Sequence, residues 1–349
     1  MMRQQEPTHP PAEQPPAGPH QPHRRRVPPG LAVAVSIAVV QLLFVFSLGY
    51  PPLHTTPHDL PIGITGPVAA TAAVTHQLAG QHGAYDLHYY PDQAAARAAV
   101  GNRQVYGAIV INPSGPRLLV ASAASPVIAG ALRAQAARLG RGRPVPVTDV
   151  VPAPPADPQG TGSLTTLLPL VLISLALGVA VAFLEPRRAL RPVWVALTAV
   201  IIGLGAAGIA HALGTFGGSY PGIAAVLGLL VFGIGAVSVG LAQIAAVGRA
   251  LAGLLALVML YIGIPGAGAL VPAPLLAQPW RAFGPYLPPG AAVNAMRGIG
   301  FFHGAATAPP LVVLAVWAAA GLILIALPTA GRHPRPTALT PAPSVVRPA

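Results

Sequence analysis

Two histidines, His54 and His58, stand four residues apart, the spacing at which a helix turns both imidazoles toward one metal ion. Pro57 lies between them and argues against that helix, so the pair does not read as a ligand set. His211 falls near the end of an apolar run, where an interfacial position accounts for it better than a proton relay. Gln41 is a polar group midway along another apolar run, open both to a helix–helix hydrogen bond and to a contact on a substrate path. Cysteine is absent, and so is lysine, which removes thiolate chemistry, Cys-type metal sites and the lysine-bearing phosphate loop of nucleotide hydrolases. No carboxylate follows Glu185. With no catalytic, cofactor-binding or metal-binding set in view, the expectation is a protein that is not itself an enzyme and needs no cofactor. Two polar groups remain as candidates. Glu185, Arg187, Arg188 and Arg191 crowd one short connection and carry both charge signs. Arg281, Asn294 and Arg297 stand in a Pro- and Gly-rich stretch, where the arginines either snorkel to lipid phosphates or recognise an anionic substrate or head group.

The elements that position these residues follow from composition. The 349-residue chain is 53% hydrophobic and only 8% charged, whereas soluble domains run near a quarter charged. The net charge of +12 comes from arginines in short runs beside apolar stretches, a topology signal rather than a nucleic-acid footprint. Apolar runs of spanning length occur at 31–50, 165–184, 192–213, 222–246, 250–271 and 308–327. The expected fold is therefore a polytopic α-helical membrane protein with six transmembrane helices. Gly49-Tyr50-Pro51-Pro52 is a poor cleavage site, so the first run reads as an uncleaved anchor. Pro265 is expected to kink or end the fifth span. Arg24–Arg26, Arg187, Arg188, Arg191, Arg249, Arg332, Arg335 and Arg347 all fall on one side when both termini are cytoplasmic, and the short opposite loop 214–221 is uncharged. That places the chain in the cell membrane, in contact with the bilayer, with disordered cytoplasmic tails at 1–30 and 328–349.

Residues 51–164 differ in kind and read as a small α/β extracytoplasmic domain with its linker. Strands are expected at 60–65, 85–90, 105–111 and 117–122, with 145–151 closing the sheet. Helices alternate with them from Pro67 to about Gln81, from an Asp92 cap to Val100, and from Ser125-Pro126 to about Leu139. The segment 272–307 is too rich in Pro and Gly to span, yet carries Trp280, Phe283, Tyr286, Phe301 and Phe302, so it is expected at the interface or as a re-entrant hairpin. Within it Pro289 suits a helix start. Ala292, Met296 and Ile299 would make one apolar face, Asn294 and Arg297 would point away, and Gly298 and Gly300 would break the helix.

Leu60-Pro-Ile-Gly-Ile-Thr-Gly-Pro67, Asp92-Gln-Ala-Ala-Ala-Arg97 and Val105-Tyr-Gly-Ala-Ile-Val110 are similar to the ectodomain opening of one permease group. Leu287-Pro-Pro-Gly-Ala-Ala-Val-Asn-Ala-Met-Arg-Gly298 with Phe301-Phe-His-Gly304 resembles its segment before the final span. The group is the YhgE/Pip-like branch of type-2 ABC exporter permeases. The resemblance implies a homodimeric or pseudo-dimeric permease that works with a separate ATPase subunit and exports a lipid-like or hydrophobic compound. It also makes Glu185–Arg191 the candidate ATPase-coupling loop; Arg281, Asn294 and Arg297 are, by their position, candidate exit-gate or head-group contacts. Family permeases commonly couple through an amphipathic helix before the first span, and here that region is a proline-rich tail. The rival reading is a non-transporting membrane scaffold or receptor whose ectodomain binds a cell-envelope partner.

Overall fold

The computed structural model describes residues 28–81, 83–139, 143–244 and 247–327. The tails expected at 1–30 and 328–349, with Arg24–Arg26, Arg332, Arg335 and Arg347, lie almost wholly outside the described residues. The chain divides into two compact units, one ending at Leu42 and one beginning at Leu43. Helix α1 (Pro29–Leu53) runs through that division. Among the described residues five helices are long and apolar enough to cross a membrane, as in an integral membrane protein: α1, α5 (Gly162–Leu184), α6 (Arg191–Ala212), α7 (Tyr220–Ala242) and α11 (Ala308–Ala326). α7 is the buried axis, and it packs against α5, α6 and α11. Leu172, Val200, Ile201, Val316 and Ile323 on those outer helices stay exposed, as lipid-facing positions do.

Contact along α7 depends on absent side chains. A Cβ on Gly203 would sit 2.6 Å from the carbonyl oxygen of Ala224, and one on Gly321 would sit 2.5 Å from the Cβ of Ala236. Added Cβ atoms on Gly178 and Gly240 would overlap Ser238 and Leu324. Small residues let the backbones approach, which is how helices gain packing energy where no water drives them together.

Between α1 and α5 lies a five-stranded sheet in the order β2-β1-β3-β4-β5: β1 (Leu60–Thr65), β2 (Tyr85–Tyr89), β3 (Gly107–Asn112), β4 (Gly115–Val120) and β5 (Val147–Asp149). β1 runs parallel to both neighbours, and β3 and β4 form an antiparallel hairpin across the Asn112–Gly115 turn. Helices α2 (Val68–Ala79), α3 (Gln93–Gly101) and α4 (Pro126–Leu139) accompany the strands. Asp92 caps α3 by accepting the Ala95 N–H at 2.7 Å, and the Ser125 hydroxyl accepts the Ile128 N–H at 3.2 Å.

The fifth expected span is shorter than its hydropathy. α8 (Gly248–Val258) widens into a π turn at Met259–Gly263, with the Ile264 N–H bonded to the Met259 carbonyl at 2.8 Å. That stretch rises roughly 24 Å, short of the ~30 Å of hydrocarbon. Pro265 ends it: proline offers no N–H to the carbonyl four residues back, that of Tyr261. The Tyr261 oxygen accepts the Ser47 hydroxyl at 2.6 Å and the Trp280 indole N–H at 2.7 Å.

The following segment also departs from expectation. It folds as a short α9 (Trp280–Phe283) and then α10 (Pro288–Phe301), which is buried around its circumference rather than on one face. Gly298 and Gly300 do not break α10, because close neighbours occupy the space a side chain would need; a Cβ on Gly298 would sit 2.7 Å from the Ala305 oxygen. Of the segment's aromatic residues, Trp280 and Phe302 are buried while Phe283 and Tyr286 stay exposed. Trp280 joins Leu60, Ile62, Ile64, Leu118 and Val120 on one face of the sheet. Phe302 joins Ala108, Val110, Leu119 and the α3 residues Ala96 and Val100 on the other.

Gly321→Val should cost about 1–3 kcal/mol through overpacking against α7. Gly205→Ala, with open space around it, should match or exceed the parent. Thermal unfolding in detergent, followed by intrinsic tryptophan fluorescence, compares them. Equal midpoints for Gly321→Val and the parent would remove the packing argument.

Candidate functional site

α3 stops at Gly101, and the chain reverses with Arg103 at φ 58°, a left-handed conformation that glycine adopts more cheaply. Its guanidinium leaves the sheet domain and grips α10. One terminal nitrogen donates to the Asn294 carbonyl at 2.9 Å, and the other donates to the Asn294 side-chain oxygen at 3.2 Å. The Asn294 amide nitrogen donates to the Gly290 carbonyl at 3.0 Å, which fixes the orientation of the acceptor. The Arg103 guanidinium carbon lies 5.4 Å from the centre of the Phe302 ring, within cation–π range. A planar group held by a fork on one edge and an aromatic face has little freedom left.

Arg297, one turn along α10, is buried. It donates to the carbonyls of Gly268 at 2.7 Å and Ala269 at 2.9 Å. Burial, and after it the charge of Arg103, pulls Arg297 down to about 10; burial also lowers Arg103. Both remain cations at neutral pH. Burial raises the Tyr106 phenol, against the opposing pull of both guanidinia, so its hydroxyl stays protonated. Neither arginine has an ion-pair partner among the described residues, where Asp86, Asp149 and Asp59 pair with His88, Arg133 and Arg281. Asp157 acts on Arg297 only at a distance. Its oxygens accept the Thr161 N–H at 2.8 Å, the Thr161 hydroxyl at 3.0 Å and the Gly162 N–H at 2.7 Å.

Beside this junction is a cleft of about 350 Å³. Arg103 and Tyr106 line it from the sheet domain, Asn294 from α10, and Pro309, Pro310 and Val313 from the start of α11. The lining is thus cationic and hydrogen-bonding in one part and apolar in another.

The structure separates the residues expected from sequence. Asn294 and Arg297 come together, but Arg297 is neither snorkelling nor free, since both terminal nitrogens serve carbonyls. Arg281 pairs with Asp59 ahead of β1, away from the cleft. At the opposite end of the bundle Arg191 turns inward. It donates to the Glu185 carbonyl at 3.1 Å, the Ala182 carbonyl at 3.2 Å and the Gln243 side-chain oxygen at 3.0 Å. Gln243 in turn donates to the carbonyls of Leu324 at 2.7 Å and Ile325 at 3.1 Å. The Glu185 carboxylate accepts the Arg187 N–H at 2.7 Å and the Trp194 indole N–H at 3.0 Å. Arg187 and Arg188 keep exposed side chains. His54 stacks on Tyr50 at 4.1 Å.

Sequence reasoning passed over Arg103 and Tyr106. The one available signal was an arginine just past a helix end, where glycine or asparagine is favoured. Nothing local points to a partner 191 positions on. No protein-family model, curated protein or solved structure matches this chain.

Arg297→Met should lower stability by about 2–4 kcal/mol, because two buried carbonyls lose a charged donor. Arg297→Lys should recover part of that, as an ammonium supplies donors without the planar fork. Arg281→Gln should change stability by less than about 1 kcal/mol. Thermal unfolding in detergent ranks the three, and an Arg297→Met variant as stable as Arg281→Gln would contradict the assignment.

Proposed function

We propose that the chain is a multi-pass permease that moves an amphiphile toward the face of the membrane carrying the sheet domain, as one subunit beside a separate ATPase. The observation that carries this reading is the two-character cleft where the sheet domain meets α10 and α11. A site with a guanidinium on one side and the first turns of a spanning helix on the other matches a molecule with a polar head and an apolar body. A start-of-helix position is also where head groups lie relative to a crossing helix. The order of elements supports the likeness to type-2 ABC permeases: one span, a sheet domain, further spans, and a short buried helix before the last. Arg187 and Arg188, exposed at the far end, are where an ATPase would dock.

Two experiments test the reading. With no native cysteine, Ser114→Cys on the sheet domain should react with an impermeant maleimide on intact cells, and Arg187→Cys only after lysis. Labelling of Arg187→Cys on intact cells would reverse the orientation and sink outward movement. Cross-linked purification from native membranes should recover an ATP-binding subunit, with less recovered from Arg187→Glu/Arg188→Glu. Overproduction of the pair should raise extracellular or outer-leaflet amphiphiles by mass spectrometry. Bare chain on purification and an unchanged amphiphile profile would together overturn the proposal.

A further inference from the structure

We infer that the cleft binds the phosphate of an anionic amphiphile, with the Arg103 guanidinium as its principal ligand and the Tyr106 hydroxyl as a second donor. The inference deepens the export reading by naming the head-group chemistry, and it rests on that reading only for the ligand being amphiphilic.

Three observations converge on an anion. Arg103 uses two N–H groups on Asn294, and its three others meet no acceptor among the described residues, although the residue lines the cleft. Tyr106 likewise lines the cleft with no hydrogen bond to its hydroxyl among the described residues. Finally, two guanidinia face one another's fields with no carboxylate in ion-pair reach, and each is held where burial disfavours its charge. Arg297, buried on two carbonyls, does not line the cleft, so the guanidinium donors that face it are those of Arg103. A phosphate fits that capacity, because its oxygens match the guanidinium edge in pairs and a phenol adds a donor.

Backbone geometry agrees with this assignment. A side chain with a Cβ is strained at the φ of 58° that Arg103 adopts, and such strain persists where the surroundings demand it. The fork on Asn294 and the Phe302 face then hold the free edge in place before any ligand arrives. Size narrows the ligand further. About 350 Å³ accommodates a phosphate with a small substituent and the first carbons of a chain, but not a whole diacyl lipid. Pro309, Pro310 and Val313 would meet those carbons while the tail leaves along α11.

The test measures binding, separately from transport, on the full chain in nanodiscs or detergent. Native mass spectrometry and ligand-dependent thermal shift would compare phosphatidylglycerol, phosphatidylcholine and inorganic phosphate. Phosphatidylglycerol should bind at least about tenfold more tightly than phosphatidylcholine. Arg103→Gln should abolish that preference, Arg103→Lys should keep part of it, and Arg281→Gln should leave it intact. Val313→Phe, which narrows the apolar part and leaves Arg103 in place, should weaken the lipid and spare inorganic phosphate. Should Arg103→Gln unfold, Tyr106→Phe and Val313→Phe still decide, since each must weaken phosphatidylglycerol if the cleft is the site. Undiminished phosphatidylglycerol preference in Arg103→Gln or in both of those variants overturns the inference, as does binding of inorganic phosphate alone. Head-group binding without export would remove the transport reading and keep this one; export untouched by a folded Arg103→Gln would do the reverse.

Discussion

Backbone carbonyls released where α8 ends set the terms for everything around them. An apolar environment offers no water to such groups, so each must find a donor within the chain. The Tyr261 oxygen, to which Pro265 offers no N–H, takes Ser47 from α1 and Trp280 from α9. The Gly268 and Ala269 oxygens, exposed by the left-handed turn at Gly268, take Arg297 from α10. Three separate elements are thereby fixed to one broken helix. The position of α10 follows from this, and with it the position of Asn294 and the grip of Arg103.

The sheet domain consequently does not hang from the bundle as an independent module. Trp280 completes the hydrophobic layer on one face of the sheet, and Phe302 completes the layer on the other. Residues from the segment between α8 and α11 therefore belong to the sheet's own core. Removing that segment would expose apolar surface on both faces, and removing the sheet would leave two large aromatic rings without partners.

Much of this was legible in the sequence, for identifiable reasons. β1 covers the residues expected of it because Leu60, Ile62 and Ile64 alternate toward one layer, between a short lead-in and the Gly66-Pro67 turn. Asp92 and Ser125 signal their helices through side-chain oxygens that cap the first turn. Five apolar runs were legible by length and lack of charge alone. The run at 250–271 forms a shorter helix, because hydropathy averages over Pro265 and cannot see that it truncates the helix. α10 was harder still. Its glycines lower helix propensity, but they also let neighbours press against it on all sides, and tertiary contact prevailed over propensity. Arg297 could be picked out as a charge in an apolar stretch, yet the carbonyls that hold it come from a turn far along the chain. Arg103 carried no local mark of its role.

The clasp formed by Arg191 and Gln243 has a mechanical meaning. It joins the ends of α5, α6, α7 and α11 through side chains that bond to carbonyls at the ends of two of those helices, α5 and α11, and to one another. Four rods tied at one end behave like a lever with a fixed fulcrum: a small tilt is nearly invisible at the tied end and grows with distance from it. The far end of those rods is where α10, the sheet and the cleft lie, so any change in helix tilt is converted there into the largest displacement the bundle can produce.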